Sequence, residues 1–89
     1  MAVSYQQTSE MLKALAHPAR LKIVVGLIKD ECNVAQIQRV LGLPQSTISQ
    51  HLRILRNAGI IKGRREGTKT CYRVIDTRVR KIMEIIRKQ

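Results

Sequence analysis

Apolar residues recur at helical spacing in two short segments in the middle of the chain. In the first segment Val34, Ile37 and Leu41 lie three or four positions apart, which predicts a helix with one buried face. Gly42 follows at once, and glycine just past a periodic run favours the left-handed conformation that closes a helix. Pro44 suits the opening turn of a second helix. The pattern therefore predicts two short helices joined by a tight turn.

The second of these helices has two chemically different faces. Its inner face is apolar, with Ile48, Leu52 and Leu55 at helical spacing. The opposite face contains no acid and consists of Ser46, Gln50, Arg53 and Asn57. This is the layout of a helix-turn-helix, in which amides and hydroxyls read base edges and arginine contacts guanine or phosphate. The alternative is an ordinary helical hairpin with a solvated face.

Three further helices are predicted outside this pair. The first spans residues 4–15 and ends before His17-Pro18, because proline disfavours helical geometry in the residue before it. The second, residues 18–29, is apolar on most sides and is the predicted central helix of the core. Between these helices and the central pair, Asn33 is the predicted N-cap of the helix that begins at Val34. A final amphipathic helix is predicted over residues 77–88.

A change in periodicity after Gly59 predicts a β-hairpin. Residues 60–65 and 69–75 flank Glu66-Gly67-Thr68, and the second segment alternates in the manner of a half-buried strand. The hairpin is strongly basic, with cations at Lys62, Arg64, Arg65, Lys69 and Arg73. A basic hairpin directly after a recognition helix is a wing that contacts phosphates or the minor groove. A merely solvated basic hairpin is the alternative.

The charge balance indicates a polyanionic partner. Among 89 residues, 17 Lys and Arg face 6 Asp and Glu, for a net charge of +11. Such a balance points to nucleic acid or to an anionic surface. No stretch approaches the roughly 18 apolar residues of a membrane span, and the first residues lack a signal-peptide pattern. We therefore expect a cytoplasmic protein without membrane association, with residues 1–89 forming a single domain.

The last helix carries more aliphatic surface than a small domain covers by itself. At 89 residues a monomer's core is marginal, which favours oligomerisation. We therefore expect a homodimer in which the last helix packs with the first. The predicted interface consists of Met11, Leu12, Leu15, Val79, Ile82, Met83 and Ile86.

The order of these elements and several local strings resemble the ArsR/SmtB-like family of winged helix-turn-helix transcriptional repressors. The strings LKALAHPARLKIVVGL, GLPQSTISQHLRILRNAGII and RREGTKTCYRV cover nearly the whole chain. The resemblance implies an α+β, mainly α, fold with a two-stranded wing and a C-terminal dimerisation helix. It also implies a homodimer that binds a palindromic double-stranded DNA operator and releases it when an effector binds. By position, the DNA contacts it implies are Gln45, Ser46, Thr47, Ser49, Gln50 and Arg53 in the recognition helix and Arg64, Arg65 and Lys69 in the wing.

The chain departs from the family at its two standard metal sites. Where many metal-sensing relatives have Cys-x-Cys, this chain has Asn33 and Ala35, with Cys32 just beside them. Near the last helix Asp76 is present, but Arg78 fills the place expected for histidine. Zinc prefers about four nitrogen or sulfur ligands, and the remaining histidines and cysteines form no recognisable set. We predict no metal at these two sites and no cofactor.

Cys32 and Cys71 are the only cysteines and lie far apart in the sequence. So few cysteines predict reduced thiols rather than a disulfide framework. Lys69 and Arg73 give Cys71 a cationic setting that favours the thiolate. Family members with two cysteines that sense oxidants, persulfides or arsenite imply a small thiol-reactive effector for this pair. Two half-buried filler residues, or a cross-link between subunits, are the alternatives.

These patterns together predict a sequence-specific repressor that acts as a homodimer on an inverted-repeat operator. An effector-independent or non-specific architectural winged helix is the alternative. The chain has two Tyr and no Phe or Trp, which argues against stacking on single-stranded RNA. No acid pair, nucleophile-base pair or phosphate-cradling glycine loop is visible, so we expect no enzymatic activity.

Overall fold

The computed structural model describes residues 3–88 of the chain. Within them lie five helices and one antiparallel hairpin: α1 Tyr5–Leu15, α2 Pro18–Lys29, α3 Val34–Leu41, α4 Gln45–Asn57, β1 Ile61–Glu66, β2 Lys69–Val74 and α5 Thr77–Arg87. None of the helices in these residues is long and apolar enough to cross a membrane. The predicted fold class, mainly α with a two-stranded wing, is confirmed.

Side chains just before the helices satisfy the first free N–H groups of three of them. The Ser4 hydroxyl accepts from the N–H of Gln7 at 3.2 Å, and His17 Nδ1 accepts from the N–H of Ala19 at 3.0 Å. Asp76 caps α5 in the same way. Asn33 lies at the predicted N-cap of α3, but its side chain forms no capping hydrogen bond.

A left-handed glycine sets the tight turn between α3 and α4. Gly42 has φ 66°, and its N–H donates to the carbonyl of Gln38 at 2.9 Å, so the helix closes where the sequence predicts. Pro44 lies just before α4 rather than inside its first turn. Helix α3 is held close to α2 at Gly26, where an added Cβ would lie 2.7 Å from Ile37 Cδ1. The helix-turn-helix is therefore anchored on the central helix α2.

The wing has a shorter loop than the sequence predicts. Strand β1 begins one residue later than expected and extends through Glu66, which lies opposite Lys69. The turn consists of Gly67 and Thr68 alone, and Gly67 adopts φ 65°. This register places Arg64 opposite Cys71. Glu66, expected in the loop, is therefore a strand residue.

One aliphatic core joins all five helices to the base of the hairpin. Its fully buried members include Ile23 and Leu27 of α2, Leu55 of α4 and Val79 of α5. The core contains no Phe or Trp, as the composition requires. This core continues to Ile60 just before the wing, so the recognition helix α4 and the wing pack on the same hydrophobic core.

The structure contradicts four of the predicted dimer contacts. Met11, Leu15, Val79 and Met83 are at most 4% exposed, because they fill the core of their own protomer. A side chain already removed from solvent offers no surface to a partner. Spacing alone could not separate the inner stripe of α1 and α5 from the outer one.

The outer sides of α1 and α5 nevertheless expose large apolar residues. Leu12 is 48% exposed and Ile86 50% exposed, and Ile82 is partly buried. These three residues remain predicted interface residues. The structure adds Ile85, which is 67% exposed on the same helix as Ile86. An unpaired apolar surface of this kind typically marks a protein–protein contact.

Candidate nucleic-acid interface

The predicted DNA contacts of α4 lie on its outer side. Exposed side chains are Gln45, Ser46, Ser49, Gln50 and Arg53, while Thr47 is partly buried. The opposite side of the helix packs into the core through Ile48, Leu52 and Leu55. No acid occurs between Gln45 and Asn57, so the outer surface repels no phosphate. Helix α4 can therefore present hydroxyl, amide and guanidinium groups to a groove.

Two histidines, the buried His51 of α4 and the partly buried His17 before α2, pack against each other. His51 is 9% exposed, and its ring centroid lies 4.7 Å from that of His17. Nδ1 of His51 lies 3.3 Å from Arg20 Nη1, and since arginine only donates, this nitrogen accepts. Arg20 Nε also donates to the carbonyl of Ala14 at 2.6 Å, which ties α1 to α2.

The pKa of His51 is lowered from its usual value by burial first, then by the charges of His17 and Arg20. His51 is therefore held in its neutral form, as expected for a core histidine. Arg20 had no assigned role from sequence, because nothing in the spacing shows that it reaches His51.

The three predicted wing cations are exposed but differ in their surroundings. Arg64 donates from Nη1 to Glu31 Oε1 at 2.7 Å and from Nε to Glu66 Oε2 at 2.6 Å. Hydrogen bonds to Glu66 and then to Glu31 raise the pKa of Arg64 above its usual value. Within residues 3–88, Arg65 and Lys69 form no ion pair. Arg65 and Lys69 are therefore more available than Arg64 to bind phosphate.

The two cysteines are joined in a disulfide within the chain. Cys32 precedes α3 and Cys71 lies in β2, and their Cα atoms are 4.3 Å apart. The expectation of reduced thiols is therefore wrong for this structure. The expectation fails because a tertiary contact brings the two cysteines together. The hairpin folds back so that β2 borders the α2–α3 turn, where the N–H of Tyr72 donates to the carbonyl of Glu31 at 2.8 Å.

Two acids border this disulfide. Oε1 of Glu66 lies 3.6 Å from Cys71 Sγ and 4.0 Å from Cys32 Sγ. Glu31, next to Cys32, binds Arg64 through its side chain. Neither acid had an assigned role from sequence.

Asp76 has a structural role at the start of α5. Its Oδ1 accepts from the N–H groups of Arg78 at 2.9 Å and Val79 at 3.3 Å. Its Oδ2 accepts from Arg78 Nη2 at 3.0 Å. The side-chain hydrogen bond to Arg78 is the main cause that lowers the pKa of Asp76. The Arg78 found in place of a histidine therefore serves the helix cap.

Helices α3 and α4, their glycine turn and the basic hairpin that follows define a winged helix-turn-helix protein. Residues 17–62 match the family described as bacterial regulatory protein, arsR family. The chain belongs to this family, which confirms the resemblance seen in its sequence motifs.

Solved and curated relatives agree with this assignment. The transcriptional repressor PagR of Bacillus anthracis is 41% identical over 85 residues, which cover 94% of this chain and 85% of PagR. The PagR crystal structure matches with a TM-score of 0.79 over 91% of this chain and 93% of that one. HlyU from Vibrio cholerae matches with a TM-score of 0.87 at 32% identity, over 99% and 96% of the two chains.

A third similar structure is described as a homodimeric winged helix-turn-helix DNA-binding domain, from the Mycobacterium bovis protein Mb0332. It matches with a TM-score of 0.81 at 32% identity, over 92% of this chain and 76% of that one.

Proposed function

We propose that this chain is a homodimeric, cytoplasmic transcriptional repressor that binds an inverted-repeat DNA operator. The observation that carries the proposal is the exposed, acid-free face of α4 beside a basic wing. Gln50 and its polar neighbours on α4 would contact base edges in the major groove. Arg65 and Lys69 of the wing would contact the adjacent phosphates.

The terminal helices supply the dimer in this proposal. Leu12 on α1 and Ile85 and Ile86 on α5 expose apolar surface that a second copy of the chain would cover. The homodimeric domain from Mycobacterium bovis, to which this chain is similar, supports that choice of partner. A two-fold axis would present two α4 helices to successive major grooves, roughly 34 to 36 Å apart.

The cysteine pair supplies the response to an effector. Cys71 belongs to the wing, and Cys32 precedes the first helix of the helix-turn-helix, so a bond between them fixes one DNA-contacting element against the other. In the proposal the dithiol form binds the operator and an oxidant releases it. With hydrogen peroxide, the two thiols give up two electrons and two protons, the S–S bond forms, the O–O bond breaks and two waters leave.

Selection of bound duplexes from a random pool tests the repressor proposal. Reduced protein should enrich an inverted repeat whose half-sites are centred about 10 base pairs apart. Oxidised protein should bind the selected duplex at least about tenfold more weakly. Enrichment of no sequence would indicate a non-specific architectural protein and contradict the operator. Equal binding by both forms would contradict only the effector response.

A further inference from the structure

Reduction of the disulfide would leave three possible metal ligands close together, the thiols of Cys32 and Cys71 and the carboxylate of Glu66. The two Sγ atoms and Glu66 Oε1 all lie within 4.8 Å of one another, on the side of the wing that borders the α2–α3 turn. Cys71 is 1% exposed, whereas Cys32 and Glu66 are exposed, so the cluster is open to solvent on one side. We propose that the dithiol form binds one thiophilic divalent cation of the zinc class through Cys32, Cys71 and Glu66.

The distances fit a tetrahedral zinc site with one adjustment. With Zn–S of about 2.3 Å and Zn–O of about 2.0 Å, the oxygen and each sulfur should lie about 3.5 Å apart. Glu66 Oε1 lies 3.6 Å from one sulfur and 4.0 Å from the other. The two sulfurs must only move from bonding distance to about 3.8 Å, which side-chain rotation of the solvent-exposed Cys32 supplies.

The backbone holds the two cysteines together without the S–S bond. The N–H of Tyr72 donates to the carbonyl of Glu31 at 2.8 Å, and these residues are the chain neighbours of Cys71 and Cys32. The register of the hairpin independently fixes Cys71 opposite Arg64. Reduction therefore removes one covalent link but leaves the two positions adjacent.

Arg64 orients the carboxylate ligand. Its Nε holds Glu66 Oε2 at 2.6 Å, which leaves Oε1 directed toward the sulfurs. Metal-binding carboxylates are commonly held by such an outer hydrogen bond. The arginine also offsets charge, since two thiolates and one carboxylate around a divalent cation leave one negative charge. The fourth ligand would be water at the exposed side.

The site forms in two steps, reduction and metal uptake. An added thiol reductant gives two electrons and two protons to the disulfide, is itself oxidised to a disulfide, and leaves Cys32 and Cys71 as two thiols. Metal uptake then forms two sulfur–metal bonds and releases two thiol protons to solvent. Metal binding and disulfide formation exclude each other, but metal binding requires neither DNA nor a dimer. The metal site therefore does not depend on the proposed repressor activity.

A cobalt titration tests the site. Protein reduced under argon and freed of reductant is titrated with Co²⁺ while the sulfur-to-cobalt charge-transfer absorption is recorded. We expect saturation at one ion per protomer and loss of the band when Zn²⁺ displaces Co²⁺. Cys32→Ser, at an exposed position, and Cys71→Ser should each abolish this band. The oxidised protein should not give it.

The carboxylate is tested separately. Glu66→Gln should keep two thiols but weaken Co²⁺ binding by about tenfold or more. Glu10→Gln is the matched control, because Glu10 is an exposed acid on α1 outside the cluster, and its titration should equal that of wild type. Absence of the charge-transfer band in reduced wild type would overturn the proposal. Equal affinity of Glu66→Gln and wild type would remove Glu66 from the site. Operator binding measured with a chelator present reports on the repressor proposal independently.

Discussion

Reduction of the Cys32–Cys71 bond should destabilise the protein strongly. The two cysteines are 39 positions apart in the chain, so the bond closes a long loop in the unfolded state. The loss of chain entropy on closing a loop of that size corresponds to about 4 kcal/mol of folding free energy at 25 °C. For a domain of this length, about 4 to 8 °C of melting temperature corresponds to each kcal/mol. The full effect would thus be a fall of about 16 to 32 °C.

Thermal unfolding followed by circular dichroism measures this difference. Oxidised and reduced protein are melted at the same protomer concentration, because dimerisation makes the melting temperature depend on it, and with a chelator to exclude metal. Cys32→Ser is the matched control, since it cannot form the bond and its melting curve should not respond to reductant. Wild-type curves that coincide within about 4 °C, less than about 1 kcal/mol, would refute the reasoning.

Three further predictions concern DNA binding, the dimer and pH. Gln50→Ala should relax base preference with little change in the salt dependence of binding. Arg65→Ala should instead weaken binding to all duplexes alike and lower the slope of log affinity against log salt by about 1. Equal effects of the two variants in anisotropy titrations would contradict separate roles for α4 and the wing. Ile86→Asp should give monomers in sedimentation, while Lys81→Asp, at an exposed position of the same helix, should leave the dimer intact; an unchanged dimer in Ile86→Asp would refute the terminal interface. Burial, then the charges of His17 and Arg20, lower the pKa of His51 in the folded protein. The contribution of His51 to the free energy of unfolding should therefore be complete above pH 6.5, the ordinary pKa of histidine, and should fall as the pH drops below it. The reason is that the unfolded chain takes up a proton that the folded chain resists. In urea unfolding at several pH values, the free energy of unfolding of His51→Gln should fall less steeply with decreasing pH than that of wild type. An identical pH dependence in the two proteins would count against a role of buried His51.

Local signals were sufficient for the helices and the turn between them. Gly42 and the apolar spacing of α3 and α4 act within a few residues, and the predicted helix boundaries agree with the structure to within one residue. Pro44 differs only in lying before α4 instead of inside it. The same local signals placed the polar side of α4 outward, which the structure confirms.

The cysteine cluster could not be predicted, because it depends on hairpin register and on tertiary contact. A three-residue loop places Arg65 opposite Lys69, whereas the observed two-residue turn places Glu66 there. Side chains alternate along a strand, so a slip of one residue moves Cys71 to the other face from Arg64 and Glu66. The approach of Cys32 then requires the packed position of the wing against the α2–α3 turn, and no local pattern encodes it.

The dimer surface shows a second limit of sequence patterns. Met83 and Ile86 both fit the apolar stripe of α5, yet one is buried in the protomer core and the other is half exposed. Helical spacing gives the stripe but not its width, which is set by how α5 packs on its neighbours. Only the packed structure separates side chains that stabilise the protomer from those free to meet a partner.

Hydroxyl-radical footprinting on the selected operator tests the central claim most directly. Reduced protein should protect two segments on one face of the duplex, centred about one helical turn apart, with the wing extending protection beyond each segment. Arg65→Ala should lose the outer protection and keep the two central segments. Protection of a single segment, or uniform protection along the duplex, would contradict a two-fold pair of α4 helices in successive major grooves.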